Sequence, residues 1–164
     1  MNLNESDKEK WEQFVAFNQS HPNETELNIQ VQKFLDESID HIAILKFGLS
    51  QSSAHILASF QVLERFTPQA LIPFLQDLLS LVAYSQRHIN EAAELIIKMP
   101  RDWVVANIEK ESEQLLSENS YYEYQQIMSL YQDLDQELAS RFAQSTLTNP
   151  DPDIRDIGKY YLGL

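Results

Sequence analysis

The side chains best suited to chemistry sit near the end of the chain, where residues 151–158 read DPDIRDIG and place Asp151, Asp153 and Asp156 ahead of Gly158. Such a run is a calcium loop, an acid cluster or a helix start. An EF-hand loop needs oxygen ligands at its first, third and fifth places, glycine at the sixth and a bidentate glutamate at the twelfth. Counted from Asp151, the fifth, sixth and twelfth places hold Arg155, Asp156 and Leu162, so calcium ligation fails three times. As a helix start the run works throughout. Asp151 caps the orphan amides, Pro152 opens the first turn, and Asp153 stands where the helix dipole favours negative charge. Ile154, Ile157, Tyr161 and Leu162 then form a buried stripe. Gly158 costs about 1 kcal/mol relative to alanine in a helix interior, which points to close approach of the preceding helix.

Other reactive constellations are weaker. Glu109 and Glu113 stand four apart on one helical face, the spacing of a general acid/base pair. With 25 acidic residues in the chain, such pairs also arise on any solvated face. The histidines at 21, 41, 55 and 88 form no HExxH pattern, so no metal site is expected. Three glycines leave no phosphate loop or dinucleotide fingerprint, and the absence of cysteine removes disulfides, thiolate zinc sites and thiol nucleophiles. No catalytic residue and no cofactor is assigned. The aromatics carry more information, because tyrosine and tryptophan bury large area while keeping a polar handle and are enriched at interface centres. Tyr124, Tyr131 and Tyr161 fit buried stripes. Tyr121, Tyr122 and Tyr160 fall off them and are candidate partner contacts, with Trp103, Glu109 and Glu113. Trp103, beside Asp102 at a helix start, either staples the entry turn or faces the partner.

These residues must be positioned by helices. Leu71, Phe74, Leu75, Leu78, Leu79 and Val82 follow the i, i+3, i+4, i+7 template, and Ile89, Ala92, Ala93, Ile96 and Ile97 repeat it. The pattern predicts helices over 6–18, 24–47, 52–66, 68–84, 88–98, 103–117, 121–131, 134–147 and 152–162. Ser6 with Glu9, Asn23 with Glu26 and Ser120 with Glu123 have capping-box spacing. Thr67 caps a helix that Pro68 opens, Pro73 is tolerable in the first turns, and Pro100 stops the helix before it.

Apolar faces recur with anchors Ile56, Ile89, Tyr124 and Ile154, at steps of 33, 35 and 30 residues. A helix hairpin repeating at such a period indicates stacking of units that cannot bury their faces alone; a compact bundle is the alternative. The period, the LIPFL opening at 71–75, and DPDIRDIGKYYL with its acid before Arg155 and small Gly158 after it resemble HEAT and armadillo-type repeats. The resemblance covers residues 52–162; Asn90 stands where the repeat's arginine would fall. Length suits one domain over 1–164 and composition makes it all-α. The resemblance implies its form, an α-α superhelix or short solenoid of about four stacked hairpins, whose end face a capping helix over 1–20 would cover. It also implies that Arg155 holds an acid of its own or a neighbouring turn.

Charge bounds the partner. Twelve basic against 25 acidic residues give −13, which repels nucleic acid and anionic membrane. The polar N-terminus has no apolar core of a signal peptide and no stretch has the length of a spanning helix, so a cytoplasmic protein is expected. The resulting expectation is a non-enzymatic protein-protein interaction module or adaptor, whose acidic surface and flanking tyrosines meet a protein with a basic face. The alternatives are an inhibitor or immunity-type protein masking a basic site, or a HEAT-like enzyme acting on an alkylated base or a tetrapyrrole.

Overall fold

The computed structural model describes residues 3–117 and 120–164, all in helices and connecting turns with no strand among them. The chain forms two compact units, Met1–Phe66 and Thr67–Leu164. No helix among the described residues is long and apolar enough to cross a membrane.

The first unit holds α1 (Glu5–Gln19), α2 (Glu24–Glu37), α3 (His41–Leu49) and α4 (Ser53–Leu63). Helix α1 packs on the other three. Its Trp11 is wholly buried, with the ring centroids of Phe14 and Phe34 at 5.8 and 5.5 Å. The segment expected as a cap over 1–20 is therefore a core element of this unit. Gly48 of α3 permits the approach, since a Cβ there would lie 2.5 Å from Trp11 Cζ2 and closer still to Ser59 Oγ.

Two local expectations need correction here. The N-cap of α1 is Asn4, whose side chain accepts from the Ser6 amide at 2.9 Å, so Ser6 and Glu9 lie inside the helix and form no capping box. The helix expected over 24–47 is two helices. The break contains neither proline nor glycine; instead Asp7 of α1, itself buried, accepts from the Ile39 and Asp40 amides at 2.9 and 2.8 Å. Lys10 Nζ donates to the Glu37 carbonyl, and Asp40 caps α3 by accepting from Ala43 N at 2.9 Å. A carboxylate supplied by another helix thus meets the orphan amides of this corner. The box at Asn23 and Glu26 forms as expected, with both reciprocal bonds made.

The second unit holds α5 (Pro68–Leu71), a 3₁₀ turn (Ile72–Phe74), α6 (Leu75–Tyr84), α7 (Ile89–Lys98), α8 (Arg101–Glu113), α9 (Tyr121–Leu134), α10 (Gln136–Thr146) and α11 (Pro152–Leu162). The uninterrupted helix expected over 68–84 is broken at Pro73, which lacks the amide needed to continue the ladder and tightens the chain into the 3₁₀ turn. The apolar face of α6 is buried as read, whereas on α7 Leu95 takes a buried place and Ile97 is exposed. Helix α8 starts two residues earlier than expected and ends at Glu113; the following turn is held by Tyr84 Oη donating to the Leu115 carbonyl at 2.9 Å. Helix α6 packs on α7, α8 and α9, while α9 packs on α10 and α11.

The end of the chain matches the helix-start reading. Asp151 accepts from Asp153 N at 2.9 Å, Pro152 opens α11 and Ile154 is buried. Arg155 grips no acid among the described residues. Its Nη1 donates to the carbonyls of Asn149 and Pro150, both at 2.8 Å, so it ties down the preceding turn through backbone oxygens. At Gly158, a Cβ would run into the Ala143 carbonyl and Thr146 Oγ1 of α10, with Leu147 Cδ2 at 3.3 Å.

Two stability measurements test these contacts. Helix propensity alone would have Gly158→Ala stabilise the protein by about 1 kcal/mol. The backbone oxygen of Ala143 cannot step aside as a side chain would, so the substitution is expected to cost about 1–3 kcal/mol in urea titration. Burial raises the Asp7 carboxyl, but the Ile39 and Asp40 amides outweigh it and, with Lys10 and His41 nearby, leave it below its usual value. Its contribution is then present above the unfolded carboxylate pKa and lost as pH falls through the folded one. Asp7→Asn is expected to destabilise by about 1–3 kcal/mol at neutral pH. It should also flatten the acid limb of stability against pH.

Candidate functional site

Tyr121 and Tyr122 open α9 at the first two helical positions, ahead of its apolar stripe, which explains why they escape burial. Ser120 stands at the N-cap position without a side-chain cap bond, so the reciprocal box expected there does not form. The two rings meet edge to face with centroids 5.6 Å apart. Tyr121 is 38% exposed and Tyr122 72%, and Tyr160 of α11 is 90% exposed. These are among the most exposed large aromatic surfaces of the protein.

Tyr121 and Tyr160 share a groove of about 440 Å³ that runs along the seam of α9 and α11. From α9 it is lined by Tyr121, Gln125, Met128, Ser129 and Gln132, a stripe with steps of three and four residues after the tyrosine. From α11 come Asp156, Ile157, Tyr160 and Tyr161. Sequence reading found the two tyrosines by elimination from the core and missed the rest of the lining. The polar members of the α9 stripe, Gln125, Ser129 and Gln132, were the available signal, as they interrupt an otherwise core-forming helix on one side. Lys159 Nζ donates to Asp156 Oδ1 at 2.7 Å and holds the Asp156 carboxyl below its usual range.

The three tyrosines read as core divide. Tyr131 is fully buried. Tyr124 is half-buried, stacked on Phe142 at 5.7 Å with its hydroxyl near Asn149. Tyr161 is half-buried and belongs to the groove, correcting its assignment to the core; its hydroxyl donates to the Gln136 carbonyl at 3.5 Å.

The remaining candidates lie elsewhere. Glu109 and Glu113 of α8 line a shallow cleft with Ser112, Arg141, Phe142 and Ser145. Glu109 there accepts from Arg141 Nη2 at 3.0 Å, and Arg141 also faces Glu137 at 3.5 Å. Arg101 joins Asp135 at 3.0 Å nearby. An acid/base role for the Glu109–Glu113 pair would first have to release Glu109 from that arginine. Trp103 sits in the first turn of α8, half-buried, and its carbonyl accepts from Asn107 Nδ2 at 2.7 Å. Among the described residues no three histidine, aspartate or glutamate side chains converge as a metal site. His55 hydrogen-bonds Ser52 at 2.8 Å and faces Glu12 at 3.3 Å, while His88 is buried.

No protein-family model, curated protein or solved structure matches the chain.

Beneath the site, Tyr131 fixes α9 on α8. Its hydroxyl lies 2.6 Å from Ser112 Oγ and 3.4 Å from the Ile108 carbonyl, and burial pushes its phenol up to about 12 from 10.0. A phenol whose folded pKa is raised adds stability below pH 10.0 that disappears as pH climbs toward about 12. Burial also raises the Tyr124 phenol, so ultraviolet titration should show late-ionising tyrosine, with the Tyr131 step accompanying unfolding. Tyr131→Phe should remove that step and cost about 1–2 kcal/mol.

Proposed function

We propose that the chain is a non-enzymatic interaction module that docks another protein on the acidic second unit, at the surface formed by Tyr121, Tyr122 and Tyr160. The observation that carries this reading is the exposure of those rings. Tyr122 and Tyr160 leave 72% and 90% of their surface in water, and exposed tyrosine at a groove edge supplies much contact area at low cost in ordering. The unit Thr67–Leu164 has 15 acidic and 7 basic residues, a balance of −8. That field speeds encounter with a basic partner and opposes phosphate backbones.

The architecture proposed for this unit is a stack of helix hairpins of HEAT type, built from α6–α7, α8–α9 and α10–α11. Its support is that each pair packs on the next, and that the small residue three after Arg155, Gly158, lies against the preceding helix. Arg155, which grips carbonyls where the repeat has an acid, departs from the pattern. A stack of this kind presents a preformed surface, so docking costs little reorganisation.

The test is capture of the partner from the native host by immobilised full chain, with identification by mass spectrometry. Tyr121→Ala combined with Tyr122→Ala should reduce the captured partner at least about tenfold while far-ultraviolet circular dichroism stays unchanged. Undiminished capture by a folded variant would remove the tyrosines from the interface. Loss of the helical signal would show instead that they support the fold.

A further inference from the structure

The groove along α9 and α11 restricts which ligands can lie in it. Taking the docking role of this surface as its premise, we infer that the occupant is a short proline-rich segment in the polyproline II conformation, carrying an arginine or lysine at one end.

The length comes first. Tyr121 to Gln132 spans eleven residue steps of α9, about 16 Å of helix axis. A polyproline II chain rises about 3.1 Å per residue, so about five residues fill that span.

The lining chooses between extended and helical ligands. Gln125, Ser129 and Gln132 set amide and hydroxyl donors in a row, with the phenols of Tyr121 and Tyr160 beside them. A docked helix satisfies its own backbone and has no use for such a row. A polyproline II segment keeps its carbonyls unpaired and, at each proline, offers no amide in return, so it needs donors along its path. Between those donors the Tyr121 and Tyr160 rings, beside half-buried Ile157 and over a floor that includes buried Met128, give apolar surface on which pyrrolidine rings pack, and the stiff ligand loses little entropy.

Charge sets the flank. Among the described residues lining the groove, Asp156 is the one that carries a charge. Its partner Lys159 is on the same helix, and both side chains are about half or more exposed (48% and 67%). An exposed pair of this kind is weak and exchangeable. An arginine on the ligand can take the carboxylate bidentately while stacking on the neighbouring Tyr160 ring, a combination lysine matches only in part. The balance of −8 over the unit works in the same direction.

The experiment uses the full chain and an array of synthetic peptides in three sets: proline-rich with a flanking arginine, the same with glutamate for arginine, and amphipathic helical peptides of equal positive charge. Binders are then measured by calorimetric titration. The expected result is binding confined to the arginine set. Tyr160→Ala should weaken it at least about tenfold, and Asp156→Asn should shrink the gap between the arginine and glutamate sets. Circular dichroism of each variant guards against unfolding. Binding of the helical set in place of the proline-rich ones, with the same dependence on Tyr160, overturns the occupant and leaves the docking surface standing. Failure of every set overturns the proposal, and capture by the Tyr121→Ala, Tyr122→Ala chain then decides the docking role separately. Equal binding of the arginine and glutamate sets overturns the role of Asp156 and with it the basic flank.

Discussion

Backbone contact between α10 and α11 at Gly158 sets where α11 lies, and the candidate site depends on that placement. Because the helices meet at a residue without a side chain, the Ala143 carbonyl and Thr146 hydroxyl of α10 occupy space that a Cβ would take. Arg155 fixes the same helix from its other end by gripping the turn at Asn149 and Pro150. Helix α9 is held by Tyr131 on Ser112 of α8 and by the edge-on contact of Tyr131 with Phe142 of α10 at 5.1 Å. The groove is the gap left when two helices, each held by other elements, run beside one another. Its width is thus a property of the core, and its contents are free to be polar.

The first unit reaches rigidity by a different route. Trp11 is buried from every side, and the contact with Gly48 allows α3 to approach an indole that would otherwise keep it away. The corner between α2 and α3 is held by charge-assisted bonds from Asp7, a carboxylate that lies in low dielectric only because two amides face it. Apolar packing and a buried acid are here one device, since the helix that delivers Trp11 to the core also delivers Asp7 to the corner.

What was legible in the sequence divides by distance along the chain. The caps at Asn23 and Asp151 and the face of α6 are set by residues within a few positions of one another, and each appears where the pattern put it. The close approach at Gly158 was also legible, because a glycine in a strong helical pattern costs stability that something must offset. The break at Ser38–Asp40 was not, since the group that makes it possible is Asp7, more than thirty residues upstream. Glu109 read as a free surface acid for the same reason: its arginine lies 32 residues on. For the site, spacing told apart buried Tyr131 and exposed Tyr160. It placed Tyr161 wrongly because a stripe position is buried only where a neighbouring helix covers it, and at Tyr161 the seam of α9 and α11 stays open as the groove.

Acidity on a helical surface is a coarser guide than a residue count implies. A count of −13 describes the chain as a whole, yet several carboxylates of the second unit are occupied: Glu109 by Arg141, Asp135 by Arg101, Asp156 by Lys159. The pairs within one helix or across exposed faces are held loosely and exchange for a ligand cation at little cost. In the proposed docking, net charge therefore sets how fast a basic partner arrives, and the groove sets which partner stays. A partner that brought charge alone would find each of these acids already satisfied. One that also covers the Tyr121 and Tyr160 rings removes apolar surface from water while trading one cation for another. For the proposed docking role, the aromatic surface and not the acidity is then the selective element.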